Sequence, residues 1–266
     1  MNILELFRLF FTHKDFLPPA DKLMGTIFTP LHFAVAAFYL SLVIVLGLYF
    51  SKKNEKTIKK MLFILWLILI ILEPTKILWE TFSGRAVKFE ASGILPLYPC
   101  SIFMYALPLV IWGGKALRYM GCGYICTLGL LGGSINFFYP ANVLNNYSAI
   151  SFAGFHTLFY HASIVFCALV ILRSGLHSYK MAIKPIELLL PMVPTLAVSV
   201  VANIVNFSPL NSDYMFFKLS SFFFAPIGAA TPDLLGVVLV YFIYLIIHTL
   251  PYLPFYFKNK NVQFCY

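Results

Sequence analysis

Charged side chains are scarce in this sequence. Asp, Glu, Lys and Arg make up only 11% of its 266 residues, while 61% of the residues are hydrophobic. Soluble domains carry about 25% charged residues, so this composition excludes an ordinary soluble domain. The 28 Phe and 16 Tyr residues suit lipid-facing and interfacial positions. Most of the protein surface is therefore expected to contact lipid.

Acidic residues are scarcer than basic ones, with 10 against 19, which gives a net charge of +9. The basic residues lie mainly in short loops between apolar segments, where they orient a membrane protein and contact anionic lipid. We therefore interpret the charge as a sign of membrane topology, and we expect membrane lipids and no nucleic acid as partners.

Two further patterns are missing. The cysteines, Cys100, Cys122, Cys126, Cys167 and Cys265, form neither a disulfide framework nor a zinc-binding spacing. The first 20 residues lack the unbroken apolar run and the small-residue cleavage site of a signal peptide. We expect no cofactor and no metal.

Seven apolar stretches are present, and each is long enough to cross a bilayer, which takes about 20 residues. They are about 30–50, 61–81, 94–113, 117–138, 150–172, 185–206 and 232–256. The sequence predicts an all-α polytopic membrane helix bundle, with about seven transmembrane helices in a single domain, 1–266. Outside these stretches, Ile3–Phe11 is expected to form a short interfacial helix, and Pro209–Ala230 an interfacial helix or a re-entrant lid.

The orientation follows from the positions of the basic residues. The loop Ser51–Lys60 alone carries five lysines. Because cytoplasmic loops are enriched in Lys and Arg, this loop is expected to be cytoplasmic. The prediction is a multi-pass protein of the cell membrane with its N-terminus outside and its C-terminus inside.

Polar residues inside these stretches are informative, because they are costly in lipid and usually face a bundle interior or water. With a helical rise of about 1.5 Å per residue, most of them fall in the outer half of the predicted bundle. They are His32, Glu73, Lys76, Cys100, Asn136, His156, His161, Asn203 and Asp233. The sequence therefore predicts a polar cavity there, although His32 and Asp233 also suit capping or interfacial roles at helix starts.

Glu73 and Lys76 are three residues apart on one predicted helix, so they can form an ion pair. Such a pair either fixes helix packing or takes part in function. His156 and His161 are five residues apart and do not share one helical stripe, so at most one is expected to face Cys100.

Cys100 follows Pro96 and Pro99 near a helix start, where the helix dipole favours a thiolate. One interpretation is a small buried packing residue. Another is a nucleophile that takes an acyl group from a lipid as a thioester, with a histidine as base and Glu73 orienting it. Metal binding by Cys100, His156 and His161 lacks a close ligand motif and ranks lower.

The stretch Leu95-Pro96-Leu97-Tyr98-Pro99-Cys100-Ser101-Ile102 resembles the Leu-Pro-Leu-His-x-Cys signature of YwaF-like bacterial integral membrane proteins, with Tyr98 in place of the usual histidine. Further segments resemble that family in order: Glu73 before the signature, then Gly133–Asn136 with Tyr139–Pro140, Phe159–Ala162, Asn211–Phe216 and Thr231–Gly236.

That family is similar to eukaryotic transmembrane proteins that move acyl chains between phospholipids through a cysteine. The resemblance implies that Cys100 is the nucleophile and His161 the base. We expect a lipid acyltransferase or transacylase, with Glu73 as third catalytic residue. The expected substrate-binding residues are Tyr98, Lys76, Asn136, His156, Asn203 and Asp233. The alternative is a small-solute or ion transporter with Glu73 and Lys76 in its pathway.

Overall fold

The computed structural model describes residues 3–17, 27–85, 87, 95–208, 212–217 and 234–263. All regular secondary structure in these residues is helical, which confirms the predicted all-α class. The predicted helix at Ile3–Phe11 is present as Ile3–Phe10. Most of the segment 209–230, Asp233 and Cys265 lie outside the described residues.

Twelve α-helices follow one another along the described residues. They are α1 Ile3–Phe10, α2 Pro30–Phe50, α3 Glu55–Ser83, α4 Ile102–Trp112, α5 Lys115–Tyr124, α6 Leu130–Phe138, α7 Ala141–Leu144, α8 Phe152–Arg173, α9 Pro185–Leu189, α10 Val193–Asn206, α11 Leu234–Thr249 and α12 Leu253–Gln263. A π-helical turn, Ile125–Gly129, joins α5 to α6. Short 3-10 turns lie at Lys14–Phe16, Tyr179–Met181, Leu190–Met192 and Tyr214–Phe216.

Within the described residues, five segments are long and apolar enough to cross a membrane: Pro30–Phe50, Glu55–Ser83, Lys115–Leu144, Phe152–Arg173 and Pro185–Asn206. A sixth is formed if Gly236–Thr249 and Leu253–Asn259, which are bent by 56° at their junction, count as one span. The protein is therefore a multi-pass membrane protein.

The predicted count of seven spans is not confirmed. The third stretch, 94–113, contains only the 11-residue helix α4 among its described residues, which is too short to cross a bilayer. The physical reason lies in Pro96 and Pro99, because proline lacks the backbone donor of a helix and forces the residue before it into an extended conformation. Residues 95–101 accordingly form turns instead of helix.

Helix starts are fixed by polar caps in the sequence. The Thr29 side chain accepts a hydrogen bond from the His32 N–H, and Pro30 occupies the first position of α2. Asn54 caps α3 by accepting from the Thr57 N–H at 2.9 Å, and Ser151 caps α8 by accepting from the Gly154 N–H at 3.1 Å. These caps satisfy N–H groups that the helix itself leaves free.

Helix α8 lies at the centre of the bundle. It packs against α2, α3 and α6, and more than half of the residues in its apolar stretch are buried inside the protein. In contrast, α2 and α3 are mostly exposed apolar helices. In a membrane protein these exposed faces contact lipid, so α8 is shielded and positions the polar residues discussed below.

Close helix packing depends on glycine where α5 passes the turn at Leu190–Met192. A Cβ placed on Gly123 would lie 2.7 Å from both Cβ and Cγ of Pro191. The proline ring is rigid and cannot move aside as a long side chain can, so only glycine fits this contact. Small residues allow such close approach of helices in membranes.

We expect Gly123→Ala to lower the free energy of unfolding by about 1–3 kcal/mol, because overpacking a tight contact displaces backbone. The measurement is thermal unfolding of the detergent-solubilised protein. Gly114→Ala is the matched control, since nothing lies within 4 Å of a Cβ at Gly114. Equal melting temperatures for the two variants would contradict the contact.

An aromatic cluster lies at the end of the bundle where α5 begins. The ring of His177 packs against Tyr119, Tyr179 and Tyr252, and its Nε2 lies 2.6 Å from the Tyr252 hydroxyl. The Tyr179 hydroxyl donates to the Cys126 carbonyl at 2.6 Å, within the π-helical turn. Burial of the His177 imidazole lowers its pKa to about 4.

This burial predicts a stability that depends on pH. His177 takes up a proton at about pH 6.5 when unfolded but only at about pH 4 when folded, so stability is lost as the pH falls from about 6.5 to 4. We expect the melting temperature to fall less steeply over this range in His177→Gln than in the unmodified protein. Parallel pH profiles for the two proteins would show that His177 is not the responsible group.

Candidate functional site

A polar cavity of about 900 Å³ opens beside the non-helical segment 95–101. Helices α3, α6 and α8 form its walls together with the segments around Asp15 and Phe216. The structure brings seven of the nine predicted site residues to this one cavity. They are Glu73, Lys76, Tyr98, Cys100, Asn136, His156 and His161.

The remaining two predicted residues are not placed there. Asn203 lies in α10, where its Nδ2 donates to the Tyr241 hydroxyl of α11 at 3.2 Å. That hydroxyl also bonds the Ser199 Oγ at 2.8 Å, so Asn203 belongs to a contact between two helices. Asp233 lies outside the described residues.

The broken backbone around Cys100 obtains its hydrogen bonds from tyrosine side chains. The Leu95 N–H donates to the Tyr214 hydroxyl at 3.1 Å, and the Tyr160 hydroxyl donates to the Cys100 carbonyl at 3.4 Å. The Tyr124 hydroxyl donates to the Pro99 carbonyl. These bonds replace those that a continuous helix supplies, since backbone groups without partners are costly at membrane depth.

The Cys100 side chain lies two residues before the first residue of α4 and faces α6. Ser101 is the N-cap of α4, and the Phe103 N–H donates to the Cys100 carbonyl at 3.2 Å. A Cβ on Gly132 would lie 3.5 Å from the Cys100 Sγ, so the thiol faces α6 at a position without a side chain. The expected position of the thiol near a helix start is therefore found.

Glu73 and His156 form an ion pair across α3 and α8, with Glu73 Oε2 3.0 Å from His156 Nε2. The His156 ring stacks over Tyr160, with centroids 5.9 Å apart. Because Tyr160 also bonds the Cys100 carbonyl, the carboxylate, the imidazole and the cysteine backbone form one connected arrangement.

The ion pair between Glu73 and Lys76 that the sequence spacing allows is not formed. Lys76 Nζ lies 2.6 Å from Glu80 Oε2, one helical turn further along α3. The i,i+4 spacing places these two side chains side by side, while Glu73 takes its partner from α8 instead.

His161 occupies the same cavity with a defined tautomer. Its Nδ1 lies 2.7 Å from the Thr157 carbonyl oxygen, which can only accept, so Nδ1 carries the proton. Nε2 then keeps its lone pair and can act as a base. His156 and His161, which the sequence spacing does not place on one helical stripe, both line the cavity.

The segment after α1 closes one side of the cavity, although none of its residues is among the predicted site residues. His13, Lys14 and Asp15 line the cavity. The Trp79 Nε1–H donates to the Phe11 carbonyl at 3.1 Å, and the Arg85 N–H donates to Asp15 Oδ2 at 3.1 Å. This bond from Arg85 holds the pKa of the Asp15 carboxyl below its usual value. The sequence feature that could have indicated this segment is a run of polar residues directly after an apolar helix.

The opposite wall is a strained turn. Met215 and Phe216 have φ values of 65° and 59°, in the left-handed region that non-glycine residues rarely adopt. The Asn206 side chain holds the turn by bonding both the N–H and the carbonyl of Tyr214 at 2.8 Å. Tyr98 packs on the Tyr214 and Phe216 rings. Such strain is typical of binding sites.

Metal binding finds no support among the residues that the structure describes: no three His, Cys, Asp or Glu side chains come close enough together to hold an ion. The groups present suit proton transfer and nucleophilic attack, since a thiol, three imidazoles and four carboxylates line one cavity.

A sequence model of one protein family matches residues 27–259, which span all the cavity helices. The chain belongs to the TMEM164 family. Membership in this family agrees with the several apolar helices of the structure. Comparisons with curated proteins and with solved structures gave no match.

The Glu73–His156 pair predicts a specific energetic coupling. Glu73→Gln and His156→Asn should each lower stability, and their combined effect should fall short of the sum by about 0.5–3 kcal/mol. A double-mutant cycle on thermal or chemical unfolding measures this. The control cycle, Glu73→Gln with Lys76→Met, should give the smaller coupling because Lys76 pairs with Glu80. A larger coupling in the control would contradict the observed pairing.

Proposed function

We propose that the protein is a lipid acyltransferase that carries an acyl group as a thioester on Cys100. The observation that supports this most is the shared cavity: the thiol lies beside a helix N-terminus, in the same cavity as a histidine whose Nε2 keeps its lone pair. The resemblance of residues 95–102 to the YwaF-like signature points the same way. Family membership by itself gives no reaction.

In the first half-reaction, His161 Nε2 takes the proton of the Cys100 thiol. The thiolate attacks the carbonyl carbon of a phospholipid ester, and a carbon–sulfur bond forms. As the tetrahedral intermediate collapses, the carbon–oxygen ester bond breaks, and the leaving alkoxide takes the proton back from His161. The products are a thioester and a lysophospholipid.

In the second half-reaction, His161 Nε2 takes a proton from the hydroxyl or amine of an acceptor. The acceptor attacks the thioester carbonyl, the carbon–sulfur bond breaks, and the departing thiolate is reprotonated by His161. No oxidant, metal or nucleotide is consumed, because the energy of the ester bond is carried through the thioester.

Glu73 keeps its proposed catalytic role in a modified form. Its carboxylate pairs with His156 of α8, so we assign it to holding His156 and, through Tyr160, the backbone at Cys100. Asn136 has a buried side-chain oxygen without a hydrogen bond to any described residue, so this oxygen can accept a hydrogen bond from a hydroxyl or amine of a substrate. Lys76 and Tyr98 line the cavity as further substrate-binding candidates.

The acyl donor is a membrane phospholipid, the acceptor carries a hydroxyl or an amine, and we place the protein in the cell membrane. The proposal assigns no role to Asn203, whose amide bonds Tyr241.

We expect Cys100→Ala to abolish transfer of a fluorescent acyl chain from phospholipid to a lysophospholipid or amine acceptor. Cys122→Ala is the matched control, because Cys122 lies in α5, is buried in the protein core and does not line the cavity. His161→Ala should slow formation of the thioester, which is detected as an acyl mass increase on the peptide containing Cys100. Both variants should keep the elution profile of the folded protein.

Unchanged transfer in Cys100→Ala would refute the thioester mechanism. If the purified protein instead moves a solute or protons in a way that needs Glu73 but not Cys100, the cavity serves a transporter.

A further inference from the structure

A second, smaller pocket lies against the first one, on the lipid side of α3. This groove has a volume of about 230 Å³ and is lined by Ile70, Pro74, Pro96, Met104 and Tyr105. Glu73 and Ile77 line both the groove and the main cavity, so the two meet at these side chains. The groove therefore leads from the outer face of α3 towards Glu73.

The sequence explains why a groove forms at this place. Pro74 has no N–H to donate to the carbonyl of Ile70, and its ring disturbs the preceding helical turn. Pro96, which lines the same groove, belongs to the non-helical segment before α4. Two backbone irregularities face each other, and side chains cannot interlock between them as in regular helix packing.

The rim of the groove faces lipid. Ile70 is 41% exposed and lies in the span Glu55–Ser83, and Tyr105 is 42% exposed and lies in the apolar helix α4. Deeper inside, Met104 is buried, and its carbonyl accepts a hydrogen bond from Trp66 Nε1 at 3.0 Å, which fixes α4 against α3 below the groove. The groove is thus open to hydrocarbon at one end and polar at the other.

We propose that this groove is a lateral entrance that holds the hydrocarbon chain of a membrane phospholipid while the ester reaches the polar cavity. The inference rests on the proposed acyl transfer and names where its substrate binds. A hydrocarbon chain fits the groove because its outer end opens to the bilayer and its lining is apolar except for Glu73. Its inner end joins the cavity that contains Cys100.

The chemistry also says what such a groove can achieve. Moving an acyl chain from bilayer hydrocarbon into an apolar groove gains little hydrophobic energy, because both surroundings are apolar. The groove therefore acts on chain position and shape more than on affinity. A narrower groove should change which acyl chains are transferred and which residues of the protein the chain contacts.

The test is photolabelling of the whole protein in vesicles of phosphatidylcholine that contain a phospholipid with a diazirine in one acyl chain. Labelled peptides are identified by mass spectrometry. We expect enriched labelling of peptides covering residues 70–77 and 96–105 relative to the exposed face of α2. Ile70→Trp, which narrows the rim, should reduce this labelling severalfold. Ile71→Trp is the control, since Ile71 is 65% exposed and does not line the groove.

Photolabelling needs no turnover, so it separates the two proposals. Groove labelling that persists in Cys100→Ala supports the entrance whatever that variant does to transfer. Transfer that depends on Cys100, together with labelling spread evenly over α2 and α3, overturns the entrance and leaves the acyltransferase standing. If Ile70→Trp does not fold, the labelling pattern of the unmodified protein by itself tests whether the groove is an entrance.

Discussion

The structure depends on one constraint: every backbone N–H and C=O at membrane depth must find a partner inside the protein. Residues 95–101 break the helical pattern, and the hydroxyls of Tyr214, Tyr124 and Tyr160 make the bonds that helix formation would have made. These three tyrosines come from three different parts of the fold, so the break is held only when the bundle is assembled. Cys100 is positioned by this arrangement, because its own carbonyl is one of the bonded groups.

The histidines differ in how their ring nitrogens are bonded. His248 is fully buried, with Nδ1 2.7 Å from Thr127 Oγ1 and Nε2 2.9 Å from Thr195 Oγ1. Thr127 Oγ1 donates to the Gly123 carbonyl, so it accepts from His248 Nδ1, and Nε2 accepts from Thr195. Both ring nitrogens are thus engaged with α5–α6 and α10, which indicates a packing role. His161, in contrast, bonds the Thr157 carbonyl through Nδ1 and lines the cavity.

Glu73 connects the parts of the site. It lies beside Pro74, pairs with His156 of α8, and lines both the cavity and the groove. A buried ion pair of this kind contributes little net stability, because removing both charges from water offsets their attraction. Glu73 thus lies at the junction of an apolar and a polar space. The N-terminal segment, bonded through Trp79 and Asp15, closes the same space from another side.

The sequence by itself determined the membrane class, the all-α fold, five of the spans and most members of the polar cluster. It could do so because long apolar runs and costly intramembrane polar residues are local signals that need no partner. Only the tertiary structure decided which groups meet. It paired Glu73 with His156 and Lys76 with Glu80, assigned Asn203 to Tyr241, and shortened the third span to α4. The physical reason is that hydrogen bonds and ion pairs between helices depend on the rotation and depth of each helix, and the spacing along one helix does not contain that information.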